Sequence, residues 1–309
     1  MNRVSAWAAL FAGLLLVSTA APFILLTRMD PFALVVLRMG IAAPLFLAAA
    51  AARGGAGLPR AHAGRVALGG VLLSAHFLLW IKAFDLTSYA SNLLLLIAQP
   101  VVAALLGTRV GERPTRETWI SIALSAAGLA AIAGGDFALG PRAVLGDLCS
   151  ILAGVAISFF YVESRAARTA LPVAAFMGWT MAFGAAAAVP VALAAGASFA
   201  PRAAPLPVLG WTPSPWLWLG GLVLVTTMGG HGLMNAAARG LRLFTVNIVI
   251  VLEPPLGILL GMALAGQAPP TAVQTAGGAV LAAAVVVALL PEARSGRPGA
   301  GPPPAVVPG

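Results

Sequence analysis

Val249-Ile250-Val251-Leu252-Glu253-Pro254-Pro255-Leu256-Gly257-Ile258-Leu259-Leu260-Gly261 is an apolar run interrupted by one acid and a proline pair. It has an echo at Leu93-Leu94-Leu95-Leu96-Ile97-Ala98-Gln99-Pro100-Val101-Val102-Ala103-Ala104-Leu105-Leu106-Gly107. A polar residue precedes a proline in both, and Leu105-Leu106-Gly107 matches Leu259-Leu260-Gly261 at an offset of 154. The correspondence extends outward. His76 stands 23 residues before Gln99, and His231 stands 22 before Glu253. Asn92 and Asn247 precede the same pairs by 7 and 6 residues. Beyond the runs, Gly111-Glu112 is matched by Gly266-Gln267, and further upstream Pro31 and Pro172 each open a comparable segment. Five coincidences in order, at a nearly constant offset, mark an internal repeat.

Both runs belong to a chain that is 60% hydrophobic and only 9% charged, against about 25% charged in a soluble domain. So few charges cannot cover a surface in water, so lipid must cover it. Net charge is +9, but the basic residues sit between long apolar runs and do not line one face, which excludes a nucleic-acid partner. The single cysteine, Cys149, excludes a disulfide framework or a cysteine metal site.

A spanning helix needs about 20 mostly apolar residues. Ten segments qualify: 5–27, 31–52, 65–84, 88–108, 117–135, 143–163, 172–196, 215–238, 244–265 and 271–290. The first could pass for a cleaved signal peptide, but its apolar run continues through Pro22-Phe23-Ile24-Leu25-Leu26, and it reads as an uncleaved first helix. Residues 197–214 form the longest internal loop, and 291–309 read as a disordered cytoplasmic tail. With the N-terminus inside, thirteen of the eighteen Lys and Arg residues fall in cytoplasmic connections. Four fall outside (Arg28, Lys82, Arg142 and Arg202), and Arg38 lies within a span. That asymmetry places both termini in the cytoplasm of a cell with the chain in its inner membrane.

The repeat divides the spans into 1–139 and 140–290, five each. An odd number places the second half upside down relative to the first. The loop charges agree: Arg109 and Arg113 flank the first proline run on the cytoplasmic side, whereas Gly266-Gln267-Ala268-Pro269-Pro270 carries no charge. Inverted repeats of this kind are typical of secondary transporters that rock around a site near the midplane. The fold expected is therefore all-α and integral to the membrane, with ten transmembrane helices as two inverted five-helix repeats around a central cavity.

Several segments carry a resemblance: Leu34-Val35-Val36-Leu37-Arg38, Ala83-Phe84-Asp85-Leu86-Thr87-Ser88, the run from Gln99 to Gly107 with Gly111-Glu112-Arg113, and Glu253-Pro254-Pro255-Leu256-Gly257. In this order they resemble the EamA-type carriers of the drug/metabolite transporter superfamily, over roughly 5–290. The resemblance implies a helical basket with a central cavity that moves a small organic solute, commonly outward, and it does not choose the solute. The second half has Trp179 where the first has Arg38, so no symmetric role passes to it.

Within the spans, polar residues nominate a substrate or proton pathway. An acid at mid-membrane costs about 2.5–3.5 kcal/mol, so Glu253 is expected to face protein or water. Pro254 and Pro255 remove two amide donors, and Pro100 one, opening the helix locally at three kink positions. Gln99 cannot titrate, so any proton coupling rests on Glu253. Arg38 either snorkels outward or faces the cavity, where it would bind an anion or pair with Glu253. His76 and His231 either line the cavity from opposite halves or bond neighbouring helices. Trp80, four residues after His76, and Asn235, four after His231, share their faces. Asn92 and Asn247 follow the same logic, with Ser158 and Tyr161 behind them. Asp147 and Glu163 read as interfacial, and Trp211, Trp216 and Trp218 as an aromatic belt.

No carboxylate stands at ligand spacing beside either histidine, so neither a metal nor another cofactor is implied. No Gly-rich phosphate loop ending in Lys-Ser/Thr occurs, which excludes ATP-driven transport by this chain alone. The reading is a secondary carrier for a small metabolite or drug-like solute, working by alternating access in the lipid bilayer. A membrane-embedded enzyme or a channel is the alternative; oligomeric state is not legible.

Overall fold

The computed structural model of the 309-residue chain describes residues 3–99, 102, 115–137, 139–163, 167, 170–237 and 249–295. These residues are helical, the one β-type pairing among them being an isolated bridge between Val208 and Trp211. In chain order the α-helices are α1 (Arg3–Ser18), α2 (Ala20–Leu26), α3 (Pro31–Ala51), α4 (Arg60–Ala83), α5 (Tyr89–Leu95) and α6 (Arg116–Phe137). They continue with α7 (Pro141–Glu163), α8 (Val173–Ala194), α9 (Pro215–Gly221), α10 (Gly232–Ala237), α11 (Glu253–Ala265) and α12 (Ala272–Ser295). A π-helical segment, Leu222–His231, joins α9 to α10, and a 3₁₀ turn, Leu96–Ala98, follows α5.

Eight helices among the described residues are long and apolar enough to cross a membrane, α1 with α2 counting as one continuous span. Their bounds follow the apolar segments read from the sequence closely, because hydrophobic length is a local property. Of the two remaining segments, 88–108 and 244–265, the described parts are the helical pieces at 89–99 and α11, and the rest lies outside the described residues. The tail is shorter than the sequence suggested, because α12 runs on past Leu290 to Ser295. Helices are the expected solution in lipid, where every backbone amide must be satisfied within its own segment. Leu15, Leu145, Leu152, Leu224 and Leu259 are more than half exposed, as lipid-facing positions should be.

Helix starts follow from side chains that accept the free first-turn amides. Asp30 Oδ1 accepts from the amides of Phe32 (2.8 Å) and Ala33 (3.3 Å), with Pro31 at the first helical position of α3. Thr271 and Gln274 form a reciprocal box at the start of α12. Thr271 Oγ1 accepts from the Gln274 amide at 3.2 Å, and Gln274 Oε1 accepts from the Thr271 amide at 2.8 Å.

Four long pairings organise the bundle: α3 with α8, α6 with α12, α4 with α7, and α4 with α8. The helix α1 packs along the π segment and α10. The core lies between α3, α4 and α8, around Met39, Phe77, Phe176 and Met181. There α4 and α8 meet backbone to backbone at two glycines. A Cβ on Gly70 would lie 2.7 Å from the Thr180 carbonyl and 2.9 Å from the Gly184 amide nitrogen. Small residues are what allow such an approach in membrane helices. Gly64, on the same helix, faces open space. Gly70→Leu is expected to destabilise the protein by about 1–3 kcal/mol through overpacking, whereas Gly64→Leu leaves it unchanged. Thermal unfolding in detergent checks this, and equal melting of the two variants would remove the close contact.

Candidate functional site

The widened helix between α9 and α10 sets the centre of the site. Over Leu222–His231 the turns are π-helical, and Thr227 Oγ1 donates to the carbonyl of Leu222, five residues back, at 2.8 Å. Single π turns of this kind are frequent at functional sites. The Thr227 hydroxyl thereby presents its oxygen to α3, where Arg38 Nε donates to it at 3.0 Å. Arg38 is fully buried, and its guanidinium carbon lies 4.0 Å from the centroid of the Phe77 ring on α4. The snorkelling alternative is thereby corrected: the guanidinium turns into the bundle because Thr227 and Phe77 hold it there. Its Nη1 has no hydrogen-bond partner among the described residues.

Around this cation the structure gathers some of the polar residues singled out from the sequence. Arg38 lies within electrostatic range of His76, His231 and Glu253, and the two histidines are within range of each other. Among the described residues no ion pair within 4.0 Å joins Arg38 to Glu253. His76 Nδ1 donates to the carbonyl of Ala153 at 2.9 Å, which leaves Nε2 of the neutral ring as an acceptor. The same ring stacks on Trp80, with centroids 5.9 Å apart and planes inclined by 13°. Trp80 is buried, and its Nε1 finds no acceptor among the described residues. Glu253 is half-buried as the first residue of α11. The chain at Val251 and Leu252 is a turn, so the break expected from Pro254 and Pro255 is realised as a helix start. A carboxylate at a helix N-terminus faces the positive end of the helix dipole.

Other candidates are engaged in packing. Asn92 is fully buried; its Nδ2 donates to the Trp80 carbonyl at 3.1 Å, and its Oδ1 accepts from Ser150 Oγ at 2.7 Å. It therefore clips α5 to α4 and α7. The Gln99 carbonyl accepts from Ser158 Oγ at 3.0 Å, which ties the end of that span to α7. Trp179, at the place matching Arg38, donates from Nε1 to the Ala56 carbonyl at 2.9 Å. Pro100, Asn247 and the Asn235 side chain lie outside the described residues.

Residues 4–134 match the model of the EamA-like transporter family. Over that stretch the chain is similar to EamA-like transporters. The match falls on α1 to α6, the part that supplies Arg38, His76 and Trp80 to the site. Sixteen solved chains match as well. One of them, a crystal structure of a protein 24% identical, covers 96% of this chain and is itself covered completely, with a TM-score of 0.63. At that identity the likeness speaks for the fold alone. No curated protein matches the chain significantly.

Two features of the structure had no signal in the sequence. Thr227 and the π segment left no signal, since Thr226-Thr227 reads as ordinary helix. The second feature is a charged clasp over a cavity of about 230 Å³ lined by Leu34, Ile81 and Phe84 among others. Arg202, from the loop between α8 and α9, binds Asp30 through Nη2 and Asp85 through Nη1, the latter at 3.3 Å. It therefore joins the start of α3 to the end of α4. Asp147, read as interfacial from the sequence, is 1% exposed within the bundle, where its Oδ1 accepts from Thr87 Oγ1 at 2.6 Å.

Burial alone would disfavour the Asp30 carboxylate, but Arg202 and the amides of Ala33 and Phe32 outweigh it and hold that carboxyl below its ordinary value. A carboxylate held low stabilises the fold above its unfolded pKa, and the contribution is lost as pH falls through the lowered one. The clasp is thus expected to loosen in acid below about 3.8. Melting curves across that range should fall more for the wild type than for Arg202→Gln, and parallel curves would show the clasp to be idle. At the centre, Thr227→Val leaves Arg38 Nε buried without an acceptor and should cost about 1–3 kcal/mol, while Thr227→Ser restores the bond. Equal melting of the Val and Ser variants would remove that bond from the account.

Proposed function

We propose that the chain is a secondary carrier, moving a small organic solute across the cytoplasmic membrane by alternating access around the Arg38 site. The observation that carries the reading is the convergence of Arg38, His76 and Trp80 from the first half with His231 and Glu253 from the second, at a π segment and a helix break. Irregular backbone at membrane depth is tolerated where it faces protein or a cavity, and it supplies groups able to contact a solute. The unpartnered donors, Arg38 Nη1 and Trp80 Nε1, suit a solute with an acceptor or anionic group.

The helix pairings support ten spans in two inverted repeats, 1–139 and 140–290. Under such an exchange α3 pairs with its own counterpart α8, and α6 with α12. The contact of α4 with α7 is mirrored by that of the π segment with α1. In this reading both termini are cytoplasmic, and the Arg202 clasp closes the outer face. Glu253, as the one acid of the site, carries any coupled proton, and the direction is outward.

Purified protein in liposomes, loaded with candidate solutes found by thermal stabilisation, tests the carrier. Saturable counterflow with trans-stimulation is expected; flux linear in driving force, or a covalently changed product, would replace the carrier by a channel or an enzyme. In the same vesicles Glu253→Gln should abolish the dependence on a pH gradient while inserting normally. Unchanged pH dependence in that variant would end the coupling role of Glu253.

A further inference from the structure

A second buried polar centre lies away from Arg38, where α6 hands over to α7. Asp136, at the end of α6, is 3% exposed, and Asp147, on the second turn of α7, is 1% exposed. Both carboxylates touch one hydroxyl: Thr87 Oγ1 is 2.6 Å from Asp147 Oδ1 and 3.3 Å from Asp136 Oδ2. The shared hydroxyl brings the two carboxyl groups beside each other. Asp147 Oδ2 is buried without a donor among the described residues.

The hydrogen count does not close with two carboxylates. A threonine hydroxyl carries one proton and an ionised carboxylate none, so a single donor faces several acceptor oxygens. Gln274 Nε2 adds a long contact of 3.5 Å to Asp136 Oδ1, but its short ones, both 2.8 Å, go to Ser88 and Ser91. Among the described residues the nearby cations are engaged elsewhere. From the end of α4 and the turn beyond it, Lys82 is paired with Asp85 at 3.1 Å. Arg142, at the start of α7, donates to the Asp85 carbonyl at 2.8 Å, and Arg202 is held by Asp30 and Asp85. Of the other titratable groups nearby, Cys149 is on α7, and Tyr89 on α5 donates to the Gly257 carbonyl at 2.8 Å. Two like charges buried this close cannot both persist without a partner.

We propose that Asp136 and Asp147 hold one proton between them and form a proton-exchange site separate from the Arg38 centre. One carboxyl keeps its O–H and donates it to the other, which supplies the missing donor at Asp147 Oδ2. Asp136 also lines a cavity of about 590 Å³ together with Thr87, Ser88 and Gln274. On release the O–H bond breaks, the proton passes to water in that cavity, and two carboxylates remain facing each other. Their repulsion then acts between α6 and α7, across the turn that joins the two halves of the chain. Protonation therefore clamps this joint and proton release loosens it.

The test uses the purified full-length protein and infrared difference spectroscopy in H2O and D2O. At neutral pH a carboxylic C=O stretching band is expected, shifted by D2O and discharged in alkali. Asp147→Asn and Asp136→Asn should each remove it, and Glu253→Gln should retain it. Thr87→Val keeps both acids and should keep the band at a changed frequency, because one hydrogen-bond partner is gone. Both Asn variants remove a potential charge at nearly constant shape and should melt no lower than the wild type. The proposal is overturned if there is no band at neutral pH, if the band survives both Asn variants, or if it disappears in Glu253→Gln. Asn variants that melt lower would also overturn it, since the pair would then be held by charge. None of these readouts involves transport, so they stand or fall apart from the carrier reading.

Discussion

A guanidinium that stays charged must be met from several directions once lipid and packed helices have removed water from around it. Arg38 is met by a hydroxyl from the π segment, by the face of Phe77 on α4, and at longer range by Glu253 at the head of α11. Each of these comes from a different part of the chain, so placing one side chain constrains four elements together. The π segment is the clearest consequence. An ordinary α-helix would keep the Thr227 hydroxyl bonded within its own tighter turn, whereas the wider turn sends it five residues back and frees its oxygen for Arg38.

The same accounting explains why the polar residues of the spans divide into two kinds. Asn92, Ser150 and Ser158 satisfy one another or nearby carbonyls and hold α5 and α7 in register. Arg38, Trp80 and Asp147 each retain a buried atom with no partner. An unsatisfied buried group costs about 1–3 kcal/mol, so natural structures keep few of them. Those of Arg38 and Trp80 lie at the Arg38 centre and that of Asp147 at the α6–α7 joint, where a solute or a proton has something to bind; Arg28, Ser74, Ser125, Thr180 and Trp218 hold others among the described residues.

Much was legible before any helix was packed, and the reason is that it is local. Hydrophobic length marks a span, and the arginine distribution and the echo between Gln99-Pro100 and Glu253-Pro254 are properties of neighbouring residues. His76 and Trp80 share a face because they stand four apart, and they are stacked in the structure. The break before Glu253 follows from prolines that cannot donate.

What depended on distant residues was read poorly. Nothing in the spacing of Asp147 announces that it shares the Thr87 hydroxyl with Asp136, since Thr87 comes from the stretch before α5 and Asp136 from the end of α6. Arg202 counted as one more loop charge until the fold set it between Asp30 and Asp85. The sequence by itself determined that this chain is a helical membrane protein with an acid before a proline pair in one apolar run, because the hydrophobic effect and backbone hydrogen bonding act within each segment. Only the tertiary structure decided that Arg38 points inward and that two acids share one hydroxyl. The partners of a buried charge come from wherever in the chain the helices meet, and no spacing along the sequence records that.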